Sequence, residues 1–210
     1  MLLWTAVTAI AAIALVSAEL VHARRAYRVC KLVASTGFVG LAVTAGALAH
    51  GYGVAVLTGL VLSWAGDAFL LARGSKRAFA AGMGAFAGAH VAYMVGFAQL
   101  GPSWPASALA LVALALLGRL VLGGLVPRVP ASLRTPVRVY VVMLSAMLAM
   151  AVGAFAGGAR WLVPVGALAF YLSDGFVARE RFVRPGPENR LFGLPLYYAA
   201  QVCLAWSTCP

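Results

Sequence analysis

Asp67 and Asp174 put carboxylates inside runs that otherwise read as membrane-spanning helix. The first lies in Ser63-Trp64-Ala65-Gly66-Asp67-Ala68-Phe69-Leu70-Leu71-Ala72-Arg73, and the second in Ser173-Asp174-Gly175-Phe176-Val177-Ala178-Arg179. Each stretch reads Asp, a small residue, Phe, aliphatic, then Ala-Arg. A charged side chain deep in a bilayer costs several kcal/mol, so one that is present faces a protein interior or a wet cavity. These are two of only five acidic residues in the chain. Two neighbouring carboxylates in a low-dielectric site do not both ionise easily, so one keeps its proton near neutral pH. An acid beside a base is the arrangement that cleaves acetal-like C–O bonds through oxocarbenium ions. The plainer reading is a structural carboxylate paired with a nearby Lys or Arg, or capping a neighbouring helix.

Other polar residues sit in apolar surroundings. Ser63 is one helical turn before Asp67, and Ser173 is next to Asp174. Ser63 either orients Asp67 or bonds to its own backbone. His90 and Tyr93 lie at i and i+3 of one run, with Phe86 and Phe97 on the same stripe. His90 falls about 17 Å from the helix end, and a ring nitrogen at that depth needs a polar partner. Glu19 ends the first run and Lys31 opens the second. They form an interfacial ion pair, or Lys31 meets a lipid phosphate and Glu19 joins the polar pocket. Tyr197, Tyr198 and Gln201 follow Pro195 in the last run, where Gln201 is too deep to reach water and calls for a bond between helices. His22, His50 and His90 fall at the inner edge, the outer edge and the middle, so a histidine-bound zinc site is not expected. Neither a Gly-rich phosphate loop nor a Gly-x-Ser-x-Gly elbow is present. Cys30, Cys203 and Cys209 read as free thiols.

The elements that must carry these residues are helices. The chain is 63% hydrophobic with a mean hydropathy of +0.95, and 10% of it is charged. Soluble domains carry about 25% charged residues. The composition therefore predicts an all-α membrane protein, with residues 1–210 forming a single integral membrane domain. At roughly 20 apolar residues per span there is room for about eight. Eight runs can be marked at 2–21, 31–49, 52–72, 79–100, 105–126, 136–156, 160–178 and 191–209. The first lacks the basic start and cleavage site of a signal peptide and is read as a retained helix.

The net charge of +11 does not point to nucleic acid, because of where the cations lie. Every Lys and Arg except Arg160 falls at or near an odd-numbered connection. Under the positive-inside rule that side is cytoplasmic and both termini lie outside. Runs 3 and 7 then descend in the same direction. Asp67 lies about 9 Å before Arg73 and Asp174 about 7–8 Å before Arg179, so the two share a depth. A joint site also requires runs 3 and 7 to be neighbours. The echo between them suggests two four-helix halves in parallel orientation, an arrangement that builds sites at the repeat interface.

The order and spacing of several stretches resemble the YhhN family of membrane proteins, whose characterised animal members are lysoplasmalogenases. They are Lys31, Ser63-Trp64-Ala65-Gly66-Asp67, and Gly84-Ala85-Phe86-Ala87-Gly88-Ala89-His90-Val91-Ala92-Tyr93. Tyr140 with Met147, Gly166-Ala167-Leu168-Ala169-Phe170-Tyr171-Leu172-Ser173-Asp174, and Tyr198-Ala199-Ala200-Gln201 complete the set. Leu32 departs from the Pro that members often carry there. The resemblance implies an eight-transmembrane-helix bundle that hydrolyses the vinyl ether bond of lysoplasmalogens, giving a fatty aldehyde and glycerophosphoethanolamine or glycerophosphocholine. Asp67 and Asp174 match the family's acidic positions and are the expected catalytic pair. Lys31, Ser63, His90, Tyr93, Tyr140, Ser173, Tyr198, Gln201 and Glu19 are the expected substrate-binding set. The expected partners are a lysophospholipid and the lipid bilayer, with no metal or organic cofactor required. The expected location is a bacterial inner (plasma) membrane, with the site open to the cytoplasmic leaflet. Two rivals are a proton-coupled carrier of a small molecule or lipid, using the same carboxylates as relays, and a hydrolase of another lipid ether or ester.

Overall fold

A computed structural model describes residues 1–72 and 74–209. Arg73, expected to mark the inner edge of the third span, and Pro210 lie outside the described residues. Among the described residues eight α-helices follow one another: α1 (Leu2–Leu20), α2 (Arg24–Thr44), α3 (Gly51–Leu70), α4 (Lys76–Ala98), α5 (Trp104–Leu125), α6 (Ala131–Ala156), α7 (Leu162–Ala178) and α8 (Pro187–Ser207). No strand occurs among the described residues. Among the described residues, seven helices are long and apolar enough to cross a membrane. The eighth, α8, falls short because it carries Glu188, Asn189, Arg190 and Gln201. The protein is an integral membrane protein. Its outer surface is apolar, with residues such as Ile10, Ile13, Leu116 and Leu120 exposed, as suits a lipid solvent.

Several boundaries differ from those expected. The second helix begins at Arg24 instead of residue 31. Arginine is a good helix former, and hydropathy does not register an arginine-rich first turn. Lys31 is therefore two turns inside α2. The sixth helix begins at Ala131 and contains Pro136, where the proline was expected to open it. The expected connection from Arg179 to Arg190 is largely helical. A π-helical turn over Arg179–Val183 extends α7, with Arg184 N donating to the Arg179 carbonyl at 2.8 Å, and α8 starts at Pro187, whose missing N–H costs nothing at a first helical position.

Sequential hairpins α1/α2, α3/α4, α5/α6 and α7/α8 are joined by packing of α4 on α6, α6 on α7, and α8 on α1 and α2. The expectation that the third and seventh helices are neighbours needs correction. They have no extended packing on each other; α8 packs along α7 and also touches α3. The α3/α4 contact depends on glycine. A Cβ on Gly59 would enter the Tyr93 ring, and one on Gly66 would lie 2.7 Å from the Phe86 ring. Small residues of this kind let membrane helices approach closely. Here they allow α4 to seat Phe86 in the wall of a cavity at the basic end of the bundle and Tyr93 behind it.

Candidate active site at the basic end of the bundle

A cavity of about 380 Å³ lies where the C-terminal ends of α3, α5 and α7 meet the N-terminal ends of α2, α4, α6 and α8. This is the end that holds nearly all the cations. Both Asp67 and Asp174 line it, as do Lys31, Tyr140 and Ser173. Its walls are apolar, with Phe79 and Met83 from α4 and Val121 and Leu125 from α5.

The two carboxylates have unlike surroundings. Asp67, in the last turn of α3, is 1% exposed. Lys31 Nζ lies 2.6 Å from its Oδ1. Its Oδ2 accepts from Ser35 Oγ at 2.5 Å and from the Tyr197 hydroxyl at 2.7 Å. A buried charge pair is tolerated only when its remaining hydrogen-bonding positions are filled in this way. Asp174, on α7, keeps 15% of its side chain exposed. It accepts from the Tyr140 hydroxyl at 2.7 Å, and among the described residues no Lys or Arg pairs with it. His90 Nε2 is 4.0 Å from Asp174 Oδ2, beyond hydrogen-bond range.

The other expected site residues divide. Lys31, Tyr140 and Ser173 face the cavity. Ser63, His90, Tyr93, Tyr198 and Gln201 do not; they lie behind it. Ser63 does not bond to Asp67. It is 3.4 Å from the Tyr93 hydroxyl, which donates to Gln201 Oε1 at 2.8 Å. These three tie α3, α4 and α8 together. Tyr198 donates to the Lys31 carbonyl at 3.3 Å. Lys31 pairs with Asp67 instead of Glu19. Glu19 receives a bond from Arg190, which also bonds Glu180 at 3.1 Å, and Glu19 borders a separate pocket of about 140 Å³ with His22 and Arg24. The reason is helix rotation: Lys31, inside α2, faces the bundle axis, whereas Glu19 faces the rim.

Two partners of Asp67, Ser35 and Tyr197, lie outside the expected site set; Tyr197 was expected only to pack or to bond between helices. Ser35 lies one turn after Lys31, a spacing that puts both on one helix face. Nothing local in the sequence marks Tyr197, since an aromatic beside a proline is ordinary packing material. At the rim Asn189 bridges Glu180, at 2.8 Å, and Arg179, at 2.5 Å, and so fixes the turn between α7 and α8. Arg181 is exposed, and its guanidinium stacks 4.5 Å over the Phe79 ring at the cavity wall. Among the described residues it has no acidic partner.

Helices that expose apolar side chains and enclose two carboxylates at their basic end define a polytopic membrane protein with an intramembrane acidic site. The chain belongs to the YhhN family, whose family model matches residues 26–208. It is 38% identical over 164 residues to lysoplasmalogenase TMEM86B of Homo sapiens, covering 75% of this chain and 64% of that protein. It is 34% identical over 174 residues to lysoplasmalogenase TMEM86A of Bos taurus, covering 76% of this chain and 70% of that protein. The chain thus spans slightly less than two thirds of the TMEM86B relative's length. No solved structure matches it.

Proposed function

We propose that this protein hydrolyses the vinyl ether bond of a lysoplasmalogen-type lipid, with Asp174 as the acid and Asp67 as the charged carboxylate. The names of its relatives support the reaction. The observation that carries the division of roles is that one cavity holds an ion-paired Asp67 and an Asp174 bonded by a neutral hydroxyl.

A vinyl ether is inert to base and reacts by protonation. Asp174 gives its proton to the β-carbon, whose π pair forms the new C–H bond and leaves an oxocarbenium ion. The carboxylate of Asp67, held against Lys31, steadies that cation. Water then adds to the cationic carbon that bears the ether oxygen, and its proton passes to Asp174, restoring the acid. The hemiacetal collapses to a fatty aldehyde and the free glycerol hydroxyl. Tyr140, bonded to Asp174, orients the acid toward the cavity before it gives up its proton. The apolar walls take the alkenyl chain, and Arg181 at the mouth takes the phosphate.

This reading includes eight spans, with α8 crossing as a polar helix shielded by α1, α2 and α7. It places both termini outside and the cavity toward the inner leaflet of a bacterial plasma membrane. In a single-chain lipid of that leaflet the vinyl ether lies just below the phosphate, at the depth of the two carboxylates.

The test is mass spectrometry of lysoplasmalogen incubated with purified protein in detergent. Aldehyde release is expected, lowered by at least about a hundredfold in Asp67→Asn and in Asp174→Asn, the range for loss of an acid or base. Thermal melts of both variants separate this from misfolding. Intact lipid with wild-type protein, or full activity in both variants, overturns the assignment. Solute movement across proteoliposomes without chemical change would favour the carrier.

A further inference from the structure

We infer that His90 is a positioning residue for Asp174, supplying from behind the cavity wall the hydrogen bond that the carboxylate takes once it has released its proton. This rests on the proposed role of Asp174.

His90 is wholly buried, and neither ring nitrogen makes a hydrogen bond of normal geometry, although the ring lies near the Phe86 carbonyl one turn back on α4. Leaving a buried polar atom unpaired is costly and uncommon, and each case calls for a reason. Nε2 stops 4.0 Å from Asp174 Oδ2, about 1 Å beyond a hydrogen bond. The ring cannot close this gap itself. It is wedged edge-on between Tyr140, at 5.3 Å between centroids, and Phe170, at 4.8 Å. Asp174 is the partner with room to move, since part of its side chain borders the cavity.

Register gives an independent reason. His90 lies 23 residues after Asp67, and Tyr197 lies 23 residues after Asp174. Tyr197, on the last helix of the second half, donates to the carboxylate of the first half. His90, on the last helix of the first half, faces the carboxylate of the second. Each carboxylate also has a partner on the helix before its own, Lys31 on α2 and Tyr140 on α6. The pattern is crossed and twofold, and only the His90 bond is open. Asp174 can therefore present its proton to the cavity, then turn toward an Nε2–H when it becomes an anion. Aligned, preset donors are what lower the cost of charge developing in a dry site.

The test uses the full-length protein with two variants. His90→Phe keeps the ring shape and removes both nitrogens, and His90→Gln keeps a polar group within reach of Asp174. His90→Phe is expected to lower kcat by about tenfold to a hundredfold, with KM unchanged and a melting temperature equal to or above wild type, because two unpaired polar atoms have gone. His90→Gln is expected to recover most of kcat. Wild-type kcat in His90→Phe overturns the inference, as does an equal loss in both variants that tracks a fall in melting temperature. A second readout does not depend on turnover. In 15N-histidine spectra, a lysolipid with a protonated amine in place of the carbon that becomes cationic, which favours the ionised form of Asp174, is expected to bring one His90 ring nitrogen into the hydrogen-bonded range, and Asp174→Asn is expected to abolish that change. An unchanged His90 signal with the lipid bound overturns the inference. If Asp174→Asn keeps full activity the parent reading fails; if it is inactive while His90→Phe is unimpaired, only the positioning role fails.

Discussion

Tyr197 on α8 donates a hydrogen bond of 2.7 Å to Asp67 on α3, reaching across the gap between two helices that carry the carboxylates without packing closely on each other. Its ring is held edge-on by Phe38, Phe86 and Phe170. Tyr197→Phe keeps that packing and removes only the hydroxyl. Loss of a hydrogen bond to a charged group predicts a cost of about 1.5–3 kcal/mol, seen as a lower melting temperature in detergent. An unchanged melt would mean that Tyr197 contributes only its ring.

Lys31 and Asp67 form a buried pair, so their variants should be strongly non-additive. Lys31→Met leaves an uncompensated buried carboxylate and is predicted to cost about 3–5 kcal/mol. Adding Asp67→Asn to it should restore much of that stability while activity stays low. Single and double variants that add independently in thermal melts would show that the pair is not energetically coupled.

Tyr140 donates the 2.7 Å bond to Asp174. Tyr140→Phe removes one hydrogen bond from the proposed acid without changing its shape. A bond of about 1.5 kcal/mol predicts a turnover loss of about tenfold. KM should change little. A rise in KM at constant kcat would instead mark Tyr140 as a binding residue.

Arg181, stacked on Phe79 at the cavity wall, is the proposed phosphate contact. Arg181→Ala should raise KM by several-fold to about tenfold and leave kcat near wild type, the mark of an interaction made equally in ground and transition states. Arg181→Lys should restore only part of the affinity, because an ammonium does not present the planar donor fork of guanidinium. Equal KM values for wild type and Arg181→Ala would remove this contact from the scheme.

Topology can be checked with single cysteines in an otherwise cysteine-free protein. Gly101→Cys, between α4 and α5, should react with an impermeant maleimide added to intact cells. Pro185→Cys, between the π-turn and α8, should react only after permeabilisation. Labelling of both from the same side would break the eight-span arrangement and the inward-facing cavity with it.

The sequence by itself determined the helices, the basic end of the bundle and the presence of Asp67 and Asp174 near that end. Each of these is a property read along one dimension: hydropathy marks the runs, cations mark the ends, and rise per residue sets the depth. Even the hint of two halves came from local repetition. Tertiary structure alone decided what touches what. The sequence puts Glu19 and Lys31 at neighbouring run ends, yet Lys31 meets Asp67 and Glu19 meets Arg190. Ser63 is one turn from Asp67, yet Ser35 and Tyr197 hold that carboxylate. These outcomes depend on the rotation of each helix about its axis and on which helices lie side by side. Both are set by close packing of small and aromatic residues over the whole bundle, such as Gly59 against Tyr93 and Gly66 against Phe86, and no short stretch of sequence carries that information.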